Sequence, residues 1–197
     1  VVRYFLKRVM ANLSKPTSIN SIFNDLKSQG LKVGKDKLYE LAEHCCSIFL
    51  FFRVPKYDRS MIKENSSLPK YYCIDNGIRN AVLLPQSDDD GKLLENTVFL
   101  ALRRVLKPCD KILYFQGTKE CDFVVQQNDQ IVHLIQVTWD MRDKETRKRE
   151  IDGIVEASRV TGCDSLIILT NNEEGEITEE GKTIKILPVW KWLLFQE

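Results

Sequence analysis

Apolar positions in the first fifty residues recur at helical spacing. In RYFLKRVMANL, Phe5, Leu6, Val9, Met10 and Leu13 fall three or four residues apart, which predicts a helix. SKPTS breaks the pattern. Ser18 is a natural N-cap for a second helix whose inner face is Ile19, Ile22, Phe23 and Leu26, and Gly30 is placed to end it. Asp36 is read as the cap of a third helix, with Leu38, Leu41, Ala42 and Cys45 along one side. Two strand-like runs follow, Ile48–Val54 and Lys70–Asp75, separated by the polar stretch PKYDRSMIKENSSLP.

The pattern then changes. Asn76-Gly77 reads as a turn, and Asp88–Asp90 as a solvated loop, because the run lacks the alternating spacing of a calcium loop. After Gly91 the positions Leu94, Val98, Ala101, Leu102 and Val105 predict an amphipathic helix. Three strand patterns come next, ILYFQG, CDFVVQQ and IVHLIQVTW. A charged helix capped by Asp143 buries Ile151, Ile154 and Val155. SLIILT is apolar throughout, as in the centre of a sheet covered on both faces. EEGEITEEGK reads as a polar loop, and the end as a short strand, Pro188 and a helix anchored in the core by Trp190 and Trp192. The expected fold is mixed α/β. Residues 1–75 form three helices and a hairpin, the order of a winged helix-turn-helix, and residues 76–197 form an α/β sandwich.

Charge adds to this picture. Residues 1–75 carry 13 Lys/Arg against 7 Asp/Glu, and residues 76–197 carry 16 against 21. A basic first part fits a nucleic-acid-binding module. Lys32, Lys35 and Lys37 cluster at the start of the third helix, and Lys56, Arg59 and Lys63 lie on the hairpin loop. In a winged helix these are the positions that meet phosphates. Tyr39 and His44 are read as partly buried packing residues. The six cysteines form no CxxC pair, which argues against a zinc site, and without a secretion signal in the sequence a reducing, cytoplasmic setting is expected. No apolar run approaches the roughly 18 residues of a membrane span. There is no GxxxxGK[ST] or GxGxxG, so no nucleotide site of either common kind is expected. The start at Val1 suggests a fragment of a longer protein.

Three polar positions in the second part suggest chemistry. Glu95 lies in the first turn of its helix, where the dipole favours a carboxylate in any case. Asp122 stands at the mouth of an apolar strand, where a lone carboxylate is costly unless paired. Gln136 shares a strand face with Thr138. A three-residue loop between the two strands would set Asp122 facing Gln136, and a two-residue loop would set them on opposite faces. A helix acid, a strand acid and a polar pair on the next strand is how a PD-(D/E)xK nuclease holds Mg²⁺ or Mn²⁺ to activate water.

YYCIDNGIRNA, LLENTVFLALRR, KECDFVV, LIQVTWD, REIDGI, LIILT and ILPVWKWLL together resemble the C-terminal portion of a group of prokaryotic AAA-type ATPases. The resemblance covers nearly the whole chain. It implies a winged helix followed by a restriction-endonuclease-like domain. By motif, Glu95 is the helix acid, Asp122 the strand aspartate and Gln136 the (D/E)-type position, all three catalytic and metal-ligating. Thr138 stands where the lysine belongs, and Lys119 or Lys148 would have to replace it. The resemblance implies DNA as partner, Mg²⁺ or Mn²⁺ as cofactor, and an upstream ATPase module in the same polypeptide; an oligomer is left open. The expected function is DNA binding with a metal-dependent endonuclease site that is weak or vestigial. The alternative is a regulatory, protein-interaction module without catalysis. No motif supports a small-molecule enzyme.

Overall fold

A computed structural model describes residues 1–84 and 89–194. Helix α1 (Val2–Ala11) buries Phe5, Val9 and Met10. The Ser18 side chain accepts a hydrogen bond from the Ser21 amide at 3.3 Å and starts α2 (Ile19–Ser28), which buries Ile19, Ile22 and Leu26. Gly30, at φ +74°, turns the chain out of that helix. Helix α3 (Lys35–Ser47) packs through Leu38, Ala42 and Cys45. Its N-cap is Gly34, and Asp36 sits inside the first turn instead of capping it. Strands β1 (Phe51–Val54) and β2 (Lys70–Cys73) pair antiparallel, with Phe51 opposite Cys73 and Val54 opposite Lys70.

Strand alternation makes this hairpin a partition. Tyr71 and Cys73 face the core of α1–α3, whereas Val54 and Tyr72 belong to a second core with Phe99 and Phe123. Tyr72 stacks on Phe99, centroids 4.4 Å apart. Lys70, two residues before Tyr72, therefore points away from the helices and into the rest of the molecule. Between β1 and β2 the chain runs along strand β3 (Lys111–Gln116): Tyr57 N donates to Tyr114 O at 2.6 Å, and Tyr114 Oη donates to Leu68 O at 2.6 Å. This stretch contains a short helix, α4 (Met61–Ser66).

The remaining elements are α5 (Asn76–Val82), α6 (Asp90–Val105), β3, β4 (Glu120–Gln127), β5 (Gln130–Val137), α7 (Lys144–Thr161), β6 (Leu166–Thr170), β7 (Gly175–Glu179), β8 (Lys182–Pro188) and α8 (Val189–Leu194). The six strands lie in the order β3-β4-β5-β6-β8-β7, with β5, β6 and β8 parallel and the other pairings antiparallel. Helix α7 covers one face through Ile154, Val155 and Ala157, over Leu113, Val124, Leu134 and Ile168. Helices α6 and α8 cover the other through Val98, Phe99, Leu102 and Val189, over Phe123, Val125, Ile135 and Leu169. Burial of each such side chain contributes about 1.5–3 kcal/mol. Among the described residues the chain is thus mixed α/β with eight helices and two sheets. No helix there is long and apolar enough to cross a membrane. All six cysteines are unpaired.

Several local expectations fail for identifiable reasons. Asn76-Gly77 does not form a turn. The Asp75 side chain accepts from the Ile78 amide at 2.9 Å and caps α5, so a cap overrides the turn signal. EEGEITEEGK supplies edge strand β7, whose only inward apolar residue is Ile177; the hairpin closes through Glu180 and Gly181, both at positive φ. Asp88 lies outside the described residues, but Asp89 is buried and paired with Arg79 at 2.6 Å and Lys92 at 3.2 Å, so it is not solvated. Trp190 is 56% exposed, and only Trp192 packs against the core. Tyr39 and His44 are exposed on α3.

Candidate functional site

The β4–β5 connection decides whether the suspected residues can meet. It is a two-residue turn, Asn128-Asp129, both in the left-handed region at φ +48° and +62°. By itself this turn would set Asp122 and Gln136 on opposite faces. A bulge intervenes: Gln126 pairs with Ile131 but Val125 pairs with His133, so Val132 is the extra residue. Beyond it Phe123 lies opposite Ile135, and one step further Asp122 stands across from Gln136. Asp122 N donates to Gln136 Oε1 at 3.2 Å, and Val137 N donates to Asp122 Oδ2 at 2.9 Å.

Glu95 joins them from α6. It lies beyond the first turn of that helix, which begins at Asp90, so the helix dipole does not explain it. Between these acids lies Lys70 of β2, with 0% exposure. Its ammonium is 2.6 Å from Glu120 Oε1, 3.1 Å from Asp122 Oδ1 and 3.3 Å from Glu95 Oε1. It also lies 5.3 Å from the centre of the Tyr114 ring. An isolated buried ammonium costs several kcal/mol, and three carboxylates offset that cost. Burial alone would depress the Lys70 ammonium, but Glu95, the Tyr72 phenol, Asp122 and Glu120 together hold it well above its ordinary value.

One ammonium does not balance three carboxylates. Burial, then repulsion from Asp122, push Glu95 up to about 8, against the opposing pull of Lys70 and the Tyr72 hydroxyl, which donates to Glu95 Oε1 at 2.6 Å. Burial also raises Glu120. The Tyr72 hydroxyl itself is raised well above its ordinary value by burial and by Glu95.

Gln136 completes a second link. Its Nε2 donates to Glu150 Oε2 at 2.5 Å, and Arg149 Nη2 donates to Glu150 Oε1 at 2.5 Å. Burial raises the Glu150 carboxyl. Thr138 donates its hydroxyl to Asp140 O at 3.1 Å. Of the two lysines proposed to replace it, Lys148 pairs with Asp152 at 3.1 Å on the outer face of α7. Lys119 lies exposed at the rim of the groove. Lys70 escaped the sequence reading because a lysine at the start of a four-residue strand reads as an exposed end. The available signal was its parity with Tyr72 in KYYC.

The position of Gly153 on α7 sets the depth of the site. A Cβ there would collide with the Glu120 carbonyl, so the glycine lets the helix approach the start of β4. The Glu156 carboxylate accepts from the Thr118 and Lys119 amides, both at 2.8 Å, and fixes the β3–β4 turn.

Carboxylate and amide oxygens are the right chemistry for Mg²⁺ or Mn²⁺. Their placement is not. Among the described residues no group of three His, Cys, Asp or Glu side chains is set to hold a metal ion. Lys70 Nζ lies between the acids, and Gln136 Oε1 is engaged by the Asp122 amide. The cluster forms the floor of a groove of about 940 Å³, whose rim carries Lys15, Lys92, Lys119, Trp139 and Arg149.

The basic residues expected to meet DNA fall on the approach to α3 and on the stretch between β1 and β2. Lys32 is exposed just before α3, and Lys35 and Lys37 are exposed at its start; Lys35 lies over the Tyr39 ring at 5.8 Å and Lys37 is 3.7 Å from Glu40. The Lys56 backbone is bridged to Tyr114. Arg59 donates to Val160 O at 2.7 Å, which ties the loop to α7. Lys63 is exposed on α4.

No family model matches the chain. An uncharacterized protein of Methanocaldococcus jannaschii is 32% identical over 198 residues, covering 96% of this chain and 43% of that protein. An uncharacterized protein of Haemophilus influenzae is 24% identical over 193 residues, covering 96% of this chain and 44% of that protein. The chain thus spans less than half the length of the curated relatives it matches. Among solved structures, a chain from an assembly of Thermococcus gammatolerans McrB AAA+ hexamers with bound McrC aligns over 92% of this chain and 46% of that one. Its identity is 16% and its TM-score 0.37, too loose a likeness to carry an argument.

Proposed function

We propose that this chain is a DNA-binding module made of a winged helix, residues 1–75, and a PD-(D/E)xK nuclease-like domain, residues 76–197, belonging to an AAA-type ATPase. Its nuclease-type site is vestigial, because an internal ammonium stands where the cation would act. The observation behind this reading is Lys70 Nζ, within 3.3 Å of Glu95, Glu120 and Asp122. Metal-assisted hydrolysis needs a divalent ion with an open position for water. A buried ammonium neutralises the same acids but cannot lower the pKa of a bound water in that way. The exposed lysines at the start of α3 support the DNA-binding part of the reading.

The test combines duplex binding over a salt series with a Mn²⁺ cleavage assay, using wild type and Asp122→Asn. The expected result is salt-dependent binding and no cleavage above the Asp122→Asn background. Cleavage lost with Asp122→Asn would make the site a working nuclease.

A second reading is a docking module that couples an upstream ATPase to a partner. Its support is the exposed apolar surface of α8, where Trp190 and Leu194 are largely open. Absence of DNA binding at low salt would favour it.

A further inference from the structure

We propose that the groove above the Lys70 cluster takes single-stranded DNA, with an unpaired base stacked on Trp139 and flanking phosphates held by Ser14, Lys15, Lys119 and Arg149. This rests on the DNA-binding reading and names the form of DNA the second domain would hold.

Trp139 lines the groove and is 39% exposed, unusual for the largest apolar side chain. It is not on a loose loop. Its carbonyl accepts from the Asn171 amide at 3.1 Å, and the preceding Thr138 amide donates to Leu169 O at 2.9 Å. A tethered, solvent-facing indole in a groove whose rim carries Lys15, Lys119 and Arg149 is a stacking platform, and only a base outside a duplex presents a free face to it.

Ser14 gives an independent indication. It lines the same groove, is 6% exposed, and its hydroxyl has no hydrogen-bond partner. A buried hydroxyl without a partner costs roughly 1–3 kcal/mol. Its backbone sits in the left-handed region at φ +67°, which for a serine is strained. The strained conformation and orphaned donor are explained if the hydroxyl meets a ligand oxygen. Among the described residues, neither Lys15 nor Lys119 forms a salt bridge, and both are exposed. The Arg149 side chain is 61% exposed although it bonds Glu150. Lys70 reduces the negative charge of the floor, so a phosphate held at the rim is not repelled by three bare carboxylates.

The test is fluorescence anisotropy of a labelled 12-residue oligothymidine and a blunt duplex of the same length, in EDTA, with the whole 197-residue chain. Wild type should bind the single strand more tightly than the duplex. Trp139→Leu should lose about tenfold for the single strand and Trp139→Phe much less, since stacking survives a phenyl ring. Ser14→Ala should lose severalfold for the single strand while thermal stability is unchanged or raised. Duplex binding through the α3 lysines should be the same in all three variants. Equal single-strand binding by wild type and Trp139→Leu, or a duplex preference in wild type, overturns the inference and leaves the DNA-binding reading standing. No binding of either ligand overturns both.

Discussion

Lys70 and Asp122 are 52 residues apart in sequence and form a buried ion pair of 3.1 Å. Lys70 comes from the hairpin that flanks the first three helices, and Asp122 from the sheet of the second half. The contact welds the two halves at the point where the acids converge. Two consequences follow, one for stability and one for chemistry.

Replacing Lys70 with Met keeps most of the apolar stem and removes the ammonium with its charge. Glu95, Glu120 and Asp122 then face each other in a dry site. Breaking a buried pair by removing one partner typically costs about 3–5 kcal/mol. Urea denaturation at pH 7 should show a loss of that order. The loss should shrink toward pH 5, as the carboxylates take up protons. A loss below 1 kcal/mol would mean the cluster is hydrated and loosely held.

Glu95 gives the pH dependence its sign. Its carboxyl lies near 8 in the folded protein, mainly through burial and then Asp122, so the folded chain binds this proton more tightly than the unfolded chain. The stability it lends is complete below the ordinary carboxylate value and is lost as pH rises through about 8. Glu120 and Glu150, also raised by burial, act in the same direction. Asp140 and Asp143, lowered by hydrogen bonds from Arg142 and from the Thr146 amide, act oppositely and lose their contribution on acidification. The urea midpoint should therefore peak in mildly acid solution and fall from the ordinary carboxylate range to about pH 8. Glu95→Gln should flatten that fall. A midpoint that rises over this range would contradict the assignment.

Gly153→Ala tests the packing that sets the site. Alanine favours a helix by up to about 1 kcal/mol over glycine. Here its Cβ would strike the Glu120 carbonyl, which is backbone and must shift. Overpacking of this kind costs about 1–3 kcal/mol. Thermal denaturation should show net destabilisation despite the better propensity; net stabilisation would mean α7 moves aside freely.

The lysines at the head of α3 are tested by salt dependence. If Lys35 and Lys37 each neutralise a phosphate, the double alanine variant should weaken duplex binding uniformly across sequences. The slope of log affinity against log salt should become shallower by about 2. An unchanged slope would place duplex contact elsewhere.

The sequence was informative where one interaction dominates. Ser18 and Asp143 cap the helices their positions suggested, and the apolar spacing of α1 and α2 matches their buried faces; on α6 Val98, Ala101 and Leu102 are buried as expected, but Val105 is exposed and Phe99 takes a place in the core. The trio Glu95, Asp122 and Gln136 does converge on one groove. What could not be read was how that convergence is reached. The turn length alone would have separated Asp122 from Gln136, and the bulge at Val132 that corrects it leaves no composition signature. Lys70 was missed because its role depends on a long-range contact, not on local pattern. Edge strand β7 was missed because a strand exposed on most positions looks like a loop.

The most direct test of Lys70 as the resident cation is a Mn²⁺ titration followed by electron paramagnetic resonance, on wild type, Lys70→Ala and Lys70→Ala/Asp122→Asn. The account predicts no bound Mn²⁺ on wild type at submillimolar concentration. It predicts one site on Lys70→Ala that disappears when Asp122 is also replaced. Stoichiometric, Asp122-dependent Mn²⁺ binding by wild type would contradict it, and would show that Lys70 yields the site to a metal.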